Sequence, residues 1–255
     1  MISPHDYGFD PNAMSFTFDV EWASQPVIDD IRSLLDDRGI VGTFFVTHAG
    51  VDVGAHERGL HPNFRRNGDV YRSLENAHAR TDNEVYEHVL KTTLSFAPEA
   101  RGARSHSLFF DSSLLPIYDR LGLEYDATLR LELVPNLRPF WKQHKIVEIP
   151  TYYADYFDMV SQTTGYELAN LDLEAPGLKV VDFHPNLIYI NAQNVPGYDA
   201  TRPFYHDPER LAAGRFEGRG ARTLFIGLLD YAESNKKKTA TLGEINAAFR
   251  ESAKR

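Results

Sequence analysis

Ser15-Phe16-Thr17-Phe18-Asp19-Val20-Glu21-Trp22 is an apolar, β-prone run that ends in two carboxylates one residue apart. Ala23-Ser24-Gln25-Pro26 follows as a turn and a helix start, with Ser24 as the N-cap. Side chains alternate along a strand, so the spacing predicts that Asp19 and Glu21 point the same way from its carboxyl end. In α/β folds that end of the sheet is where ligands bind. Two buried carboxylates need a metal, a proton-transfer role or a cationic partner to offset their desolvation. The bland reading is an acidic loop that merely favours the dipole of the next helix.

Working outward, apolar residues at Val27, Ile28, Ile31, Leu34 and Leu35 follow helical spacing, and Gly39 ends that helix. Val41–Val46 reads as a second strand, and Glu57–Leu60 leads into a strand end at His61-Pro62. His48–Ala55 fits no single element, and the polar stretch 65–81 reads as a long loop on the functional face. Val85, Val89, Leu90 and Leu94 mark a helix ended by Pro98. Gly102–Ser105 is a short strand that delivers His106. Leu114–Leu121 is a helix stopped by Gly122, and Pro116 lies in its first turn or bends it. Leu123–Ala127, Ile146–Ile149 and Leu178–Phe183 are further strands, the last ending at His184-Pro185. Leu224–Tyr231 and Ile245–Phe249 are helical, and Thr241 with Glu244 fits a capping box.

Alternating strands and helices imply a parallel sheet with crossover helices. The expected fold class is α/β, a distorted or incomplete (β/α) barrel; a doubly wound open sheet is the fallback, but no Gly-x-Gly-x-x-Gly loop supports a dinucleotide site. Residues 1–255 read as one domain, with the helices from about residue 215 completing or flanking the barrel.

Composition removes several classes of function. The net charge is −9, and Lys236-Lys237-Lys238 is the only basic run, which argues against a nucleic-acid partner. Cysteine is absent, so disulfides and thiolate zinc sites are excluded and a metal has only His, Asp and Glu to hold it. Met1–Tyr7 lacks the charged and apolar regions of a signal peptide, and no apolar run reaches the length of a membrane span. A soluble cytoplasmic protein is the expectation.

Polar residues fall at successive strand ends: Asp19 and Glu21, then His61, then Arg104 and His106, then Asp126, and finally His184. In a parallel barrel these ends converge on one face. Two histidines and a carboxylate hold a divalent metal and leave positions open for water and substrate. A remaining carboxylate then serves as general base and a remaining histidine as general acid, a set suited to metal-assisted hydrolysis. Arg104 beside an Asp keeps it ionised. His61, His106 and Glu21 also have the composition of a 2-His-1-carboxylate iron oxygenase site, but the strand–helix alternation argues against the all-β scaffold expected there.

These segments resemble a known family. Thr17-Phe18-Asp19-Val20-Glu21 is similar to the first motif of the polysaccharide deacetylases, the NodB-homology group of carbohydrate esterase family 4. Glu57-Arg58-Gly59-Leu60-His61-Pro62-Asn63-Phe64 is similar to the second. Arg104-Ser105-His106-Ser107, with its lead-in Glu99-Ala100-Arg101-Gly102, resembles the third as found in the WbmS-like branch of surface-polysaccharide biosynthesis proteins. Tyr125-Asp126-Ala127, Val147-Glu148-Ile149-Pro150 and Phe183-His184-Pro185 continue the likeness in order over residues 14–190. The resemblance implies a distorted (β/α) barrel that removes an N-acetyl group from an amino sugar of a surface-polysaccharide or O-antigen precursor, with a divalent metal, most often zinc. It implies Asp19 as base, Glu21 and His61 as metal ligands, Arg104 as the partner of Asp19, and His184 as acid.

Two positions depart from the family pattern. A second ligand histidine is expected four residues after the first, where this chain has Arg65; His106 is the replacement, with His56 its competitor. Glu21 is one methylene longer than the Asp often found there, which leaves open a direct Asp19–metal contact. The alternative function is a non-catalytic carbohydrate-binding relative with a degenerate metal site. Thr151–Asp158, dense in aromatics, reads as either a sugar-stacking rim, with Trp22 and Trp141 in similar roles, or a loop packed on the barrel mouth. Asn194, Pro196 and Gly197 mark a turn. His5, His48, His78, His88, His144 and His206 stand in no motif.

Overall fold

The protein is described by a computed structural model over residues 8–254, so the Met1–Tyr7 segment and His5 lie outside the described residues. Nine strands among them form one sheet: β1 (Met14–Asp19), β2 (Gly42–Val46), β3 (Glu57–Leu60), β4 (Gly102–Ala103), β5 (Tyr125–Asp126), β6 (Phe140–Trp141), β7 (Val147–Glu148), β8 (Tyr153–Ala154) and β9 (Lys179–Phe183). Their order is β6-β7-β5-β4-β3-β2-β1-β9-β8. Every pairing is parallel except β6 with β7, and the sheet curls into an incomplete, distorted (β/α) barrel.

Strand β1 sits between β2 and β9 with all six residues buried, because both its edges are paired and both its faces are covered. Alternation sends Phe16 and Phe18 outward to the flanking helices. There Phe18 stacks on Phe44 at 4.4 Å, and Phe225 meets Phe18 edge-on at 5.7 Å. The helix Gln25–Asp36 lays Val27, Ile28, Ile31 and Leu35 on that same face. Ser15, Thr17 and Asp19 point inward. The inner face is filled below them by Phe45, Tyr125, Val147 and Val180, against Leu242, Ile245 and Phe249 of the last helix. That helix is anchored by its capping box and by Leu242 N–H donating to Thr43 Oγ1 at 2.9 Å.

Two strand glycines are needed for this interior. A Cβ on Gly59 would stand 2.6 Å from the Phe45 ring, and one on Gly102 would stand 2.1 Å from that of Tyr125. The rings lie over bare backbone, which brings β3 and β4 close enough to aim His61 and Arg104 at β1.

Several local readings change. The 65–81 stretch contains the short helix Asp69–Ser73 and a 3₁₀ turn, Ala77–Ala79. Asn194 and Gly197 start the helix Val195–Thr201: Asn194 Oδ1 accepts from Gly197 N–H at 2.9 Å, and Pro196 takes the first turn, where its missing N–H costs nothing. Thr151–Asp158 supplies strand β8 and the start of the helix Asp155–Ser161. Among the described residues no helix is long and apolar enough to cross a membrane.

Candidate active site

Asp19 ends β1, and the ladder continues for one more bond, Val20 N–H to Phe45 C=O at 3.1 Å. The chain then leaves the extended form. Glu21 has φ +47° and Trp22 +59°, consecutive left-handed residues that cost on the order of 1–2 kcal/mol each without glycine. The turn is held from both sides: Trp22 N–H donates to Thr47 Oγ1 at 3.0 Å, and the buried Tyr205 hydroxyl donates to the Glu21 carbonyl at 2.5 Å. Strand alternation therefore does not aim Glu21; this turn does.

The turn brings Glu21 to two histidines. His61 follows β3, its N–H donating to Val46 C=O, and its Nε2 lies 3.0 Å from Glu21 Oε1. His106 follows β4, its N–H donating to Pro62 C=O, and its Nδ1 lies 2.6 Å from the same oxygen. The imidazoles meet edge-on at 5.4 Å, and Trp22 packs edge-on against His106 at 5.9 Å. Burial alone would raise the Glu21 pKa; the bonds and charges of His106 and His61 outweigh it and hold the carboxyl well below the usual range. Burial works against a charge on His61, and Asp19 and Glu21 reverse that, raising it.

One donor atom each from Glu21, His61 and His106 lies within 4.8 Å of the others. His61 Nδ1 is buried without a hydrogen bond, 3.4 Å from Asp19 Oδ1. Two imidazoles and a carboxylate around one point suit a borderline divalent ion, which would displace the protons the three now share. His56 is elsewhere: its Nδ1 accepts from Gly42 N–H at the start of β2, and its Nε2 faces Asp36.

Arg104 is fully buried beside this group, its guanidinium 4.5 Å above the Phe45 ring. Nη1 donates to Asp182 Oδ1 at 2.6 Å and Asp19 Oδ1 at 3.2 Å, Nε donates to Ala127 C=O, and Nη2 donates to Thr151 Oγ1. Asp19 Oδ2 accepts no hydrogen bond from any described residue, and Asp19 lines the cavity. Asp182 carries a raised pKa because it is buried and shares Arg104 with Asp19.

His184 closes the opposite wall. Its N–H donates to Asp155 Oδ2 at 2.9 Å, and its Nδ1 lies 2.7 Å from Asp155 Oδ1, which leaves Nε2 as the free edge of the ring. Burial would lower its pKa, but Asp155, reinforced by Asp182 and Asp19, pushes it up to about 10.

Asp19, Glu21, His106 and His184 line one cavity of about 450 Å³, together with Tyr156, Phe157, Tyr198 and Tyr205. The aromatic stretch thus divides: Tyr152 and Tyr153 are core, while Tyr156 and Phe157 face the cavity. Trp141 is elsewhere, tilted against Phe249. Asp126 also stays out; it binds Thr128 and Lys142. Asp182 and the role of Asp155 escaped the sequence reading. Their signals were a lone acid inside an apolar strand and an acid two residues past a tyrosine pair.

The profile of the WbmS-like polysaccharide deacetylases matches residues 16–202. The chain belongs to this family. Among curated proteins none matches it. A solved structure from Bordetella bronchiseptica, described as a candidate polysaccharide deacetylase involved in O-antigen biosynthesis, is 27% identical. It aligns over 87% of this chain and 91% of its own with a TM-score of 0.73. A candidate polysaccharide deacetylase from Mycobacterium smegmatis, 14% identical, aligns over 99% of this chain and 94% of its own at TM-score 0.55, a likeness of fold alone. Family membership and the Glu21/His61/His106 group agree on a family of metal-dependent hydrolases.

Proposed function

We propose that this protein removes an N-acetyl group from an amino sugar of a surface-polysaccharide or O-antigen precursor and releases acetate. The ion would be divalent, with zinc the best match to two imidazoles and a carboxylate, and Glu21, His61 and His106 would hold it. The observation that carries the reading is the sharing of one Glu21 oxygen by His61 and His106, with Asp19 and His184 on the walls of the same cavity.

A divalent ion at these donors supplies Lewis acidity toward the acetyl oxygen and acidifies water. Asp19 is the base: Arg104 holds its Oδ1 at 3.2 Å while its Oδ2 is free to take a proton from the attacking water. The new C–O bond forms at the acetyl carbon. His184, kept protonated by Asp155, gives its proton to the sugar nitrogen as the C–N bond breaks, leaving acetate and a free amine. Tyr156 and Tyr198 line the cavity and would border the sugar.

The test is metal content of wild type and His61→Ala by elemental analysis, followed by acetate release from N-acetylated sugars. Near-stoichiometric divalent metal in the wild type, lost in the variant, with acetate released, is the expected result. Sugar binding with no metal even after its addition would replace this reading with a carbohydrate-binding relative.

A further inference from the structure

Arg65 stands where a second ligand histidine was expected, and His106 occupies the place beside Glu21 instead. Arg65 nevertheless lines the same cavity as Asp19 and His184, and so does Arg202 from the far wall. We infer that these two arginines recognise an anionic group, a phosphate ester or a carboxylate, carried by the acetamido sugar. The inference rests on the deacetylase reading and names the charge of its substrate.

The pairing pattern of the arginines supports it. Arg32, Arg38, Arg58 and Arg222 each contact a carboxylate at 3.1 Å or less, and Arg66, exposed like Arg65, faces Asp82 at 3.8 Å. Among the described residues the Arg65 guanidinium has no carboxylate partner. Its backbone is fixed by an N–H bond to Asn63 Oδ1 at 3.0 Å, in the loop that follows His61. Arg202 is tied only through Nε, to Asp199 Oδ1 at 2.9 Å, and lies 5.3 Å from the Tyr198 ring centre. Its terminal nitrogens accordingly remain available to a ligand.

Electrostatics gives these cations a task. The floor acids Asp19 and Asp182 are faced by Arg104 and His184, but the protein as a whole carries a net charge of −9, a field that repels anions. Guanidinium forks on the wall reverse the sign locally and bind phosphate or carboxylate oxygens in a bidentate manner, which a neutral sugar does not need. A cavity of about 450 Å³ has room for a monosaccharide with one such group attached.

The experiment is calorimetric titration of the metal-loaded protein with N-acetylglucosamine, N-acetylglucosamine 1-phosphate and N-acetylglucosaminuronate. Wild type is compared with Arg65→Ala, Arg202→Ala, the double variant and Arg66→Ala. The expected result is tighter binding of one anionic sugar than of the neutral one, by about tenfold for each arginine engaged. That preference weakens with salt, is lost in the double variant and persists in Arg66→Ala. Whichever of the two anionic ligands shows it identifies the group as phosphate or carboxylate. Equal binding of neutral and anionic sugars, a preference that survives the double variant, or binding of none of the three overturns the inference. The deacetylase reading is judged separately, by metal content and acetate release, and stands if the neutral sugar is deacetylated without preference.

Discussion

Two groups of the same make-up, a cation between two carboxylates, sit near strand ends of this sheet. In one, Arg104 joins Asp19 of β1 and Asp182 of β9 at 3.2 and 2.6 Å; in the other, Lys142 joins Asp126 of β5 and Glu148 of β7 at 2.8 and 2.7 Å. The second is saturated. Asp126 Oδ1 accepts from Thr128 N–H and hydroxyl, Glu148 Oε1 accepts from Leu129 N–H, and Lys142 lies 4.0 Å from the Phe110 ring centre. The first leaves Asp19 Oδ2 unclaimed while Oδ1 lies 3.4 Å from His61 Nδ1, with His184 across a cavity. A buried charge cluster is therefore not a site by composition. An unsatisfied oxygen, a cavity and neighbouring imidazoles separate the candidate site from the saturated cluster.

Substitution of matched acids tests that distinction with the largest expected effect. Asp19→Asn should lower turnover by about 10²–10⁴-fold while metal content stays, as removal of a general base does. Asp126→Asn should keep turnover within about threefold, since its contacts are hydrogen bonds an amide can partly replace. Equal losses in the two variants would dissolve the contrast, and loss of metal in Asp19→Asn would make Asp19 a ligand.

Replacing the cations compares the clusters as structure. Arg104→Met strands two buried carboxylates and should cost about 3–5 kcal/mol in denaturant unfolding. Lys142→Met should cost about 1–3 kcal/mol, because Thr128 and Leu129 still satisfy one oxygen of each acid. A costlier Lys142 variant would reverse the ranking of the two.

The pH profile probes His184, and its effect at neutral pH is the smallest. With its folded pKa raised to about 10, the histidine stays protonated through neutrality, so kcat should fall only on the alkaline side, as pH passes that value. The matching stability contribution is full below the unfolded value and is lost as pH rises through the folded one. Asp155→Asn should move the alkaline limb of kcat down by about one to three pH units. A limb that does not move would remove His184 as the acid.

Long buried runs made much of the fold legible. β1 and β9 are buried along their whole length, and the Thr241–Glu244 capping box is a local signal realised as written. β6 and β8 have two residues each, too few for any periodicity, and depend on pairing with β7 and β9. Asn194 and Gly197 carry turn chemistry that also suits a helix start, and only the packed chain distinguishes the two. Asp155 lacked a role because its partner His184 is 29 residues away and held by a different element.

The sequence by itself determined the parallel α/β architecture, the family, and the placing of acids and histidines at strand ends, because these depend on local pattern and motif order. Tertiary structure alone decided that Glu21 reaches the histidines through a left-handed turn pinned by Thr47 and Tyr205, and that Asp182 and Asp155 join the site while Asp126 does not. The physical reason is that satisfying a buried charge is a long-range condition. Each of these acids meets partners from distant segments, and only the packed sheet sets which oxygen is left facing the cavity.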